Sequence, residues 1–426
     1  MIHYLKSAPW HAPAAAAAVR ERVSELLLEI ERGREQAVRR LSAALDDWSP
    51  PSFLVPDDEI RRASEVVEPV LAEHIAFAQQ QVRGFARAQL GTLSELEVEP
   101  LPGVVLGHRH LPVGAVGAYV PGGRYPMLAS SFMTVAVAKV AGVGDVTACA
   151  PPRGGQGLDP LMIHAIATSG ADRILCLGGV QAVAAMAFGL CGASPADLIV
   201  GPGNAYVAEA KRQLFGTVGV DLIAGPTEIA VIADETADPQ RVAADLLGQA
   251  EHGPTSPALL ITTSDAFGRA VLAAVDELLA TWPTRAVAGV AWRDHGSIAV
   301  VEDDEAAMRL ADQHAPEHLE VHVADSKLDR YLAGLRCYGG LFLGAEATVA
   351  YGDKAIGTNH VLPTMGAARY TGGLWAGSFL RTCTYQRVTP AGTRAVARAV
   401  AAISHAEGFA GHARTAELRL AAAERA

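Results

Sequence analysis

Gln249 and His252 stand three residues apart at the end of a segment that Asp238-Pro239 opens and Gly253-Pro254 closes. Asp followed by Pro is a good helix start and Gly-Pro a stop, so the two side chains share one face of a last helical turn. An imidazole beside an amide oxygen at that spacing can hold a divalent metal. Taken alone, the pattern reads first as a helix-end histidine against the negative end of the dipole. Glu317-His318 follows Ala315-Pro316 and precedes the alternating Leu319, Val321 and Val323, which puts an acid and an imidazole at the start of a strand. Such a pair suits general acid–base work. Neighbours in an ideal strand face opposite ways, so both reach one cleft only if the preceding turn distorts the backbone. Asp353-Lys354 and Thr358-Asn359-His360 lie in a polar segment marked by Gly352 and Gly357, bringing acid, amine and imidazole together. His108 and His110 read as alternate faces of a strand edge rather than as ligands.

Two glycine turns could receive a phosphate. One is Gly178-Gly179-Val180-Gln181, the other Gly201-Pro202-Gly203-Asn204-Ala205-Tyr206; each follows a strand and opens a helix. Glycine lets the backbone approach the ligand, and the helix start offers free N–H groups. Neither turn carries the full G-x-G-x-x-G fingerprint with an acid downstream, so each alone is a weak signal.

The chain that must position these groups has 426 residues, 50% hydrophobic and 19% charged, which excludes a mainly disordered protein. Lys and Arg number 35 against 46 Asp and Glu, and the net charge of −11 argues against a general nucleic-acid or membrane-surface binder. Cys149, Cys176, Cys191, Cys337 and Cys383 are scattered, without a C-x-x-C pair; they form no disulfide framework and fit a reducing cytoplasm. Residues 1–10 lack a secretory pattern. The uncharged stretch 174–196 holds Gly178-Gly179, Gln181, Ser194 and Pro195, which suit strand, turn and buried helix better than a lipid span. A soluble, cytoplasmic protein is expected.

The first hundred residues read as helix. Pro13 opens an alanine-rich run with Val23, Leu26, Leu27 and Ile30 at helical spacing, Pro50-Pro51 breaks it, and Pro56-Asp57-Asp58 starts a second helix reaching about Leu90. From Val104 short apolar strands alternate with helices; residues 145–150, 173–177, 197–200, 228–233, 258–263 and 297–301 are the strand candidates. That alternation predicts βαβ units and largely parallel sheets, in two α/β units. After Gly366 strand signals fade, and 392–426 reads as a helical tail. No internal repeat is visible.

Several ordered strings resemble the histidinol dehydrogenase family across nearly the whole chain. They are Gly117-Ala-Tyr-Val-Pro-Gly-Gly123, Gly201-Pro-Gly-Asn-Ala-Tyr-Val207, Ala224-Gly-Pro-Thr-Glu228, Gln249-Ala-Glu-His-Gly-Pro254, Pro316-Glu-His-Leu319 and Gly357-Thr-Asn-His-Val-Leu-Pro-Thr364. The resemblance implies two Rossmann-like doubly wound units with helical N- and C-terminal arms, in an intertwined homodimer. On that plan residues 1–52 form the N-terminal arm, 53–113 with 225–365 the first α/β domain, 114–224 the second, NAD-binding domain, and 366–426 an arm reaching the partner subunit.

The resemblance further implies an enzyme dependent on zinc and NAD that oxidises a primary alcohol through an aldehyde to a carboxylate in two hydride transfers. The zinc ligands map onto Gln249, His252, Asp353 and His412, and the catalytic pair onto Glu317 and His318. NAD contacts map onto Tyr119, Gln181 and Asn204. Substrate contacts map onto Thr227, Glu407 and His360, with the metal ligands and His318; Glu407 and His412 would come from the other subunit. Thr227 stands where the family usually has Ser. Lys354 occupies a position usually aromatic in biosynthetic histidinol dehydrogenases. The strings Ala350-Tyr-Gly-Asp-Lys354, Ala367-Ala-Arg-Tyr-Thr-Gly-Gly373 and Glu407-Gly-Phe-Ala-Gly-His-Ala-Arg414 look more like the sulfopropanediol dehydrogenase branch. A cation beside the metal suits an anionic substrate tail, such as that of 2,3-dihydroxypropane-1-sulfonate, and disfavours a cationic amino-alcohol. The alternatives are L-histidinol as substrate, a silent nucleotide-binding paralogue and a non-redox metal hydrolase.

Overall fold

The computed structural model describes residues 2–8, 16–122, 125–223 and 225–425. Pro13, Gly123 and Ala224, which enter the readings above, lie outside them. The chain divides into two compact units, Met1–Arg87 with Gly114–Ala376 and Ala88–Val113 with Gly377–Ala426.

The first unit contains two sheets. In one, all neighbours pair in parallel and the strands run in the order Arg173–Cys176, Asp145–Ala150, Ala115–Tyr119, Leu198–Val200, Gly219–Val220. In the other the order is His3–Lys6, Gly296–Val300, Ala258–Thr262, Ile229–Ala233, His318–His322, Gly340–Leu343; only the edge strand His3–Lys6 is antiparallel. Numbering the parallel strands of each sheet along the chain, both follow the order 3-2-1-4-5. The two halves share a topology that no repeat in the sequence discloses.

The strands form where apolar residues run without interruption, because both faces are covered. Ile229, Val231 and Ala233 enter one core with Leu246, Leu247 and Val271, while Ala230 and Ile232 enter another with Leu310, Leu319 and Val321. The N-terminal helix Ala16–Asp46 is not a free appendage. Val23, Leu26, Leu27 and Ile30 join Val183, Met186 and Val207 in the core beside the five-stranded sheet.

Several expectations change. The helix expected from Pro56 to Leu90 is two, Asp57–Glu65 and Pro69–Leu90, because Pro69 brings no N–H and disfavours helical backbone before it. Residues 53–113 do not stay together: the first of these helices packs on Pro160–Ser169, within the half that carries the five-stranded sheet. In the second unit Leu96–Leu101 pairs with Val104–Pro112, which pairs on its other side with Leu380–Val388, a nine-residue strand where no strand was expected. Its sequence, Leu-Arg-Thr-Cys-Thr-Tyr-Gln-Arg-Val, is largely exposed and so carries little apolar periodicity. His108 and His110 share a face, as residues two apart must; their ring centroids are 5.1 Å apart and each Nε2 lies near the Ser94 carbonyl. The tail beyond forms helices Pro390–Ala406 and Ala410–Arg425. All five cysteines are free, and no helix among the described residues is long and apolar enough to cross a membrane.

Candidate functional site

Glu317 and His318 do reach one cleft. The helix Asp304–His314 ends on Ala315 in the left-handed region (φ 49°), and this turn swings Glu317 towards the start of the neighbouring strand Ile229–Ala233. There its Oε2 accepts from the Thr227 hydroxyl at 2.5 Å and the Glu228 amide at 3.0 Å. Gln249 Nε2 donates in turn to the Thr227 hydroxyl oxygen. His318 Nδ1 lies 3.0 Å from the Glu228 carbonyl and 3.5 Å from Glu317 Oε2. A carbonyl oxygen only accepts, so in the shorter of its contacts (Gln249 Nε2 is 3.3 Å away) Nδ1 carries the proton, which leaves the Nε2 lone pair free. Nε2 is buried without a hydrogen-bond partner. Burial pushes the Glu317 carboxyl up, against the opposing pull of His318 and the Thr227 bond. Burial first, and then the charge of Glu317, raises Glu228 to about 7.

That free nitrogen faces an acid. His318 Nε2 is 3.9 Å from Asp353 Oδ1, and His252 Nε2 is 3.9 Å from Asp353 Oδ2. These gaps exceed a hydrogen bond but fall within the span of ~4 Å that two ligands, each ~2.1 Å from one ion, can cover. Burial would raise the Asp353 carboxyl, but His360, His318, Lys354 and His252 together outweigh it and hold the group below the usual range. Burial lowers both His252 and His360, keeping them neutral. Neutral imidazoles around an ionised carboxylate, with Gln249 beside them, make a donor set that fits zinc. His360 is fixed at both ring nitrogens: Nδ1 to the Asp353 carbonyl at 2.9 Å and Nε2 to Ser130 Oγ at 3.2 Å. Ser130 lies in the short helix Leu128–Ser131, which passes into a π-helical stretch, Phe132–Ala136, and the carbonyl of Met133 within that stretch accepts from Asn359 at 2.9 Å.

Thus Thr227, Gln249, His252, Glu317, His318, Asp353 and His360 are brought together. Lys354 is exposed, yet close enough for its charge to help depress Asp353, His252 and His360. Glu407 and His412 belong to the second unit, where both are exposed and the His412 ring lies 5.4 Å from that of Phe409. Sequence reasoning passed over Glu228 and Ser130. Glu228 closes a quoted string and could have been found there; nothing near Ser130 in the sequence points to His360, 230 residues on.

The expected dinucleotide contacts gather at the five-stranded sheet. Tyr119 ends the first parallel strand and the Gly201 turn follows the fourth, so they flank the point where strand order reverses, the usual ligand crevice of such sheets. Gly201 has φ +107°, and a Cβ there would collide with the Tyr119 carbonyl. Tyr119 is buried, its hydroxyl accepting from the Gly179 amide at 3.3 Å. Gln181 is buried too and donates to Asp46 at 2.6 Å. Asn204 caps the helix Ala205–Leu214 through its Oδ1. Glu317 and His318, by contrast, lie at the amino end of their strand, the reverse of that rule.

The family model described as histidinol dehydrogenase matches residues 11–420. A histidinol dehydrogenase homolog of Shouchella clausii (strain KSM-K16) is 50% identical over 402 residues, 94% of each chain. The sulfopropanediol 3-dehydrogenase of Ruegeria pomeroyi (strain ATCC 700808 / DSM 15171 / DSS-3) is 48% identical over 422 residues, 99% of this chain and 96% of that one. Among solved structures, histidinol dehydrogenase from Elizabethkingia anophelis superposes with a TM-score of 0.90 at 31% identity, covering 97% of this chain and 94% of the other. A family match over almost the full length, together with relatives at half identity, shows that this chain belongs to the histidinol dehydrogenase family, oxidoreductases acting on CH–OH groups.

Proposed function

We propose that the protein oxidises a small anionic diol such as 2,3-dihydroxypropane-1-sulfonate, at its primary alcohol, to the carboxylate in two steps, with zinc and NAD. The observation that carries the chemistry is the buried, unpartnered His318 Nε2 opposite Asp353 and His252. Gln249, His252 and Asp353 would hold the metal, with His412 supplied by the second copy of the chain in a homodimer, as would be Glu407 for the substrate. When bound, zinc supplies an electrophilic contact for the alcohol oxygen, and NAD supplies the hydride acceptor at the Tyr119, Gln181 and Asn204 turns.

The protein's own groups move the protons. His318 Nε2 takes the alcohol proton, while the Glu228 carbonyl keeps the ring oriented. Glu317 draws a proton from water so that its oxygen adds to the aldehyde; the hydrate then has the C–H that a second hydride transfer needs. Thr227, which donates to Glu317, holds that carboxylate in place. Lys354 and the 48% identity to a sulfopropanediol 3-dehydrogenase support the anionic substrate. The free cysteines suit a reducing cytoplasm. The test is NADH formation with 2,3-dihydroxypropane-1-sulfonate and with L-histidinol side by side, before and after metal stripping. Turnover of the sulfonated diol that is lost with the metal and restored by zinc supports the reading. Efficient oxidation of histidinol alone transfers it to that substrate, and full activity in stripped protein ends the metal role.

A further inference from the structure

A second buried polar cluster lies beside the site and has no part in the proton transfers. Glu320 is 0% exposed and His322 2%, both on the strand His318–His322 and on the same face as His318. Asp245 joins them from the helix Pro239–Ala250, one turn before Gln249. One ligand atom from each of the three lies within 4.8 Å of the others. His322 Nε2 is 3.1 Å from Glu320 Oε2 and 3.8 Å from Asp245 Oδ2.

Charged groups buried among apolar neighbours are costly, and a core of the same volume could be filled with aliphatic side chains at no loss of stability. What distinguishes this cluster is where its remaining bonds go. Glu320 Oε1 accepts the Val349 amide at 2.8 Å, and Asp245 Oδ1 accepts the Thr348 hydroxyl at 2.9 Å. Thr348 and Val349 are the cap and first residue of the short helix Val349–Lys354, and that helix carries Asp353 and Lys354. Helix Pro239–Ala250 carries Gln249 and leads to His252, and the strand carries His318. The cluster therefore ties together the three elements that present the site.

We propose that Asp245, Glu320 and His322 are positioning residues, which fix the start of helix Val349–Lys354 so that Asp353 faces His252 and His318 in the geometry a metal requires. The inference rests on the zinc reading above. Glu320→Ala removes the acceptor for the Val349 amide, whereas Glu320→Gln retains a carbonyl oxygen for it. Thr348→Val takes away the hydroxyl that reaches Asp245, together with the cap that the same oxygen gives the Ala350 amide.

The experiment is zinc titration of metal-free protein against a chromophoric chelator, with cobalt(II) absorption as a report on ligand geometry and circular dichroism as a check on folding. Loss of an outer hydrogen-bond partner typically weakens a metal site by about ten- to a hundredfold. Glu320→Ala is expected to fall in that range with an altered cobalt band, Thr348→Val to lose a fewfold, and Glu320→Gln to recover most of the loss. Saturating zinc should restore kcat in Thr348→Val. Wild-type affinity in folded Glu320→Ala, or in Thr348→Val should the first variant not fold, overturns the proposal. So does a second zinc in the wild type that Glu320→Ala loses, since the cluster would then itself be a metal site. Wild-type protein that takes up no divalent ion overturns the zinc reading, and this inference with it.

Discussion

His318 Nδ1 lies 3.0 Å from the carbonyl oxygen of Glu228, closer than the 3.3 Å to Gln249 Nε2, and the shorter contact favours the tautomer whose other nitrogen can act as a base. With the proton held on Nδ1, the lone pair sits on Nε2, inside the protein and 3.9 Å from Asp353. His318→Asn can still donate to the Glu228 carbonyl but offers no base. It is expected to lower kcat by ~10²–10⁴-fold while leaving KM for NAD within about twofold. Steady-state kinetics check this, and a variant within twofold of wild-type kcat would remove His318 as the base.

Glu317→Gln tests the division of labour between the pair. An amide in that place cannot take a proton from water, but it leaves His318 Nε2 free. The variant should therefore slow the second oxidation more than the first. In a single turnover it should form about one NADH per alcohol, with aldehyde retained. Two NADH at an undiminished rate would place the water chemistry elsewhere.

Much of this site is legible in the sequence, and the residues that are not share a cause. The strand 145–150 was expected at its observed limits because a short, largely apolar run between Gly144 and Pro151 leaves few alternatives. Gln249 and His252 follow from helix periodicity, and Asp353 from a polar segment that reads as a loop although Asp353 itself lies in the helix Val349–Lys354. The convergence of Glu317 with His318 depends on a left-handed alanine at 315, a conformation that alanine seldom adopts and does not advertise. Ser130 meets His360, and Asp245 meets Glu320, only because the fold packs together segments far apart in the chain. Leu380–Val388 escaped because a strand with little buried surface has no apolar alternation to read.

Glu228 should leave a mark on stability. Its folded pKa of about 7 lies above its ordinary 4.5 because burial, and then the charge on Glu317, disfavours ionisation. Between those values the native state holds a proton that the unfolded chain has released, so stability falls as pH rises from about 4.5 to about 7 and is level beyond. Glu228→Gln, uncharged throughout, lacks this decline. The difference in unfolding free energy between wild type and variant should shift by up to ~3 kcal/mol across the window, in the direction that favours the variant at higher pH. Urea unfolding of metal-free protein from pH 5 to 8 measures it; a difference independent of pH would contradict the assignment.

The turn that would meet the dinucleotide rests on a buried ion pair. Lys211 and Asp221 have side chains 2% and 1% exposed; Lys211 donates to Asp221 and, at 2.9 Å, to the Gly201 carbonyl. Asp221 Oδ2 also accepts the Gly201 amide at 2.7 Å. Lys211→Met strands a buried carboxylate and should cost ~3–5 kcal/mol of stability. Lys211→Met combined with Asp221→Asn should recover a large part of it, as the stranded charge is gone. Denaturation midpoints distinguish the cases, and a double variant no more stable than the single would show that the pair matters for its shape and not its charge.

The proposal of an anionic substrate turns on Lys354. It ends the helix whose preceding residue is Asp353, and its charge contributes to the depressed pKa of Asp353, so the ammonium is within electrostatic reach of the reacting centre. A side chain next in sequence to a ligand can still point to solvent, and Lys354 is exposed. A sulfonate tail extending from the site would give it a partner. A charge-assisted contact is worth ~1.5–3 kcal/mol, so Lys354→Met should reduce kcat/KM for 2,3-dihydroxypropane-1-sulfonate by roughly ten- to a hundredfold. A neutral diol, already a poor substrate, should be almost unaffected, because it offers no anion to lose. The loss should also shrink at high salt, where the exposed contact is screened. Equal losses on both diols would mean that Lys354 supports the Asp353 helix and does not meet the substrate, and the anionic tail would then need another cation.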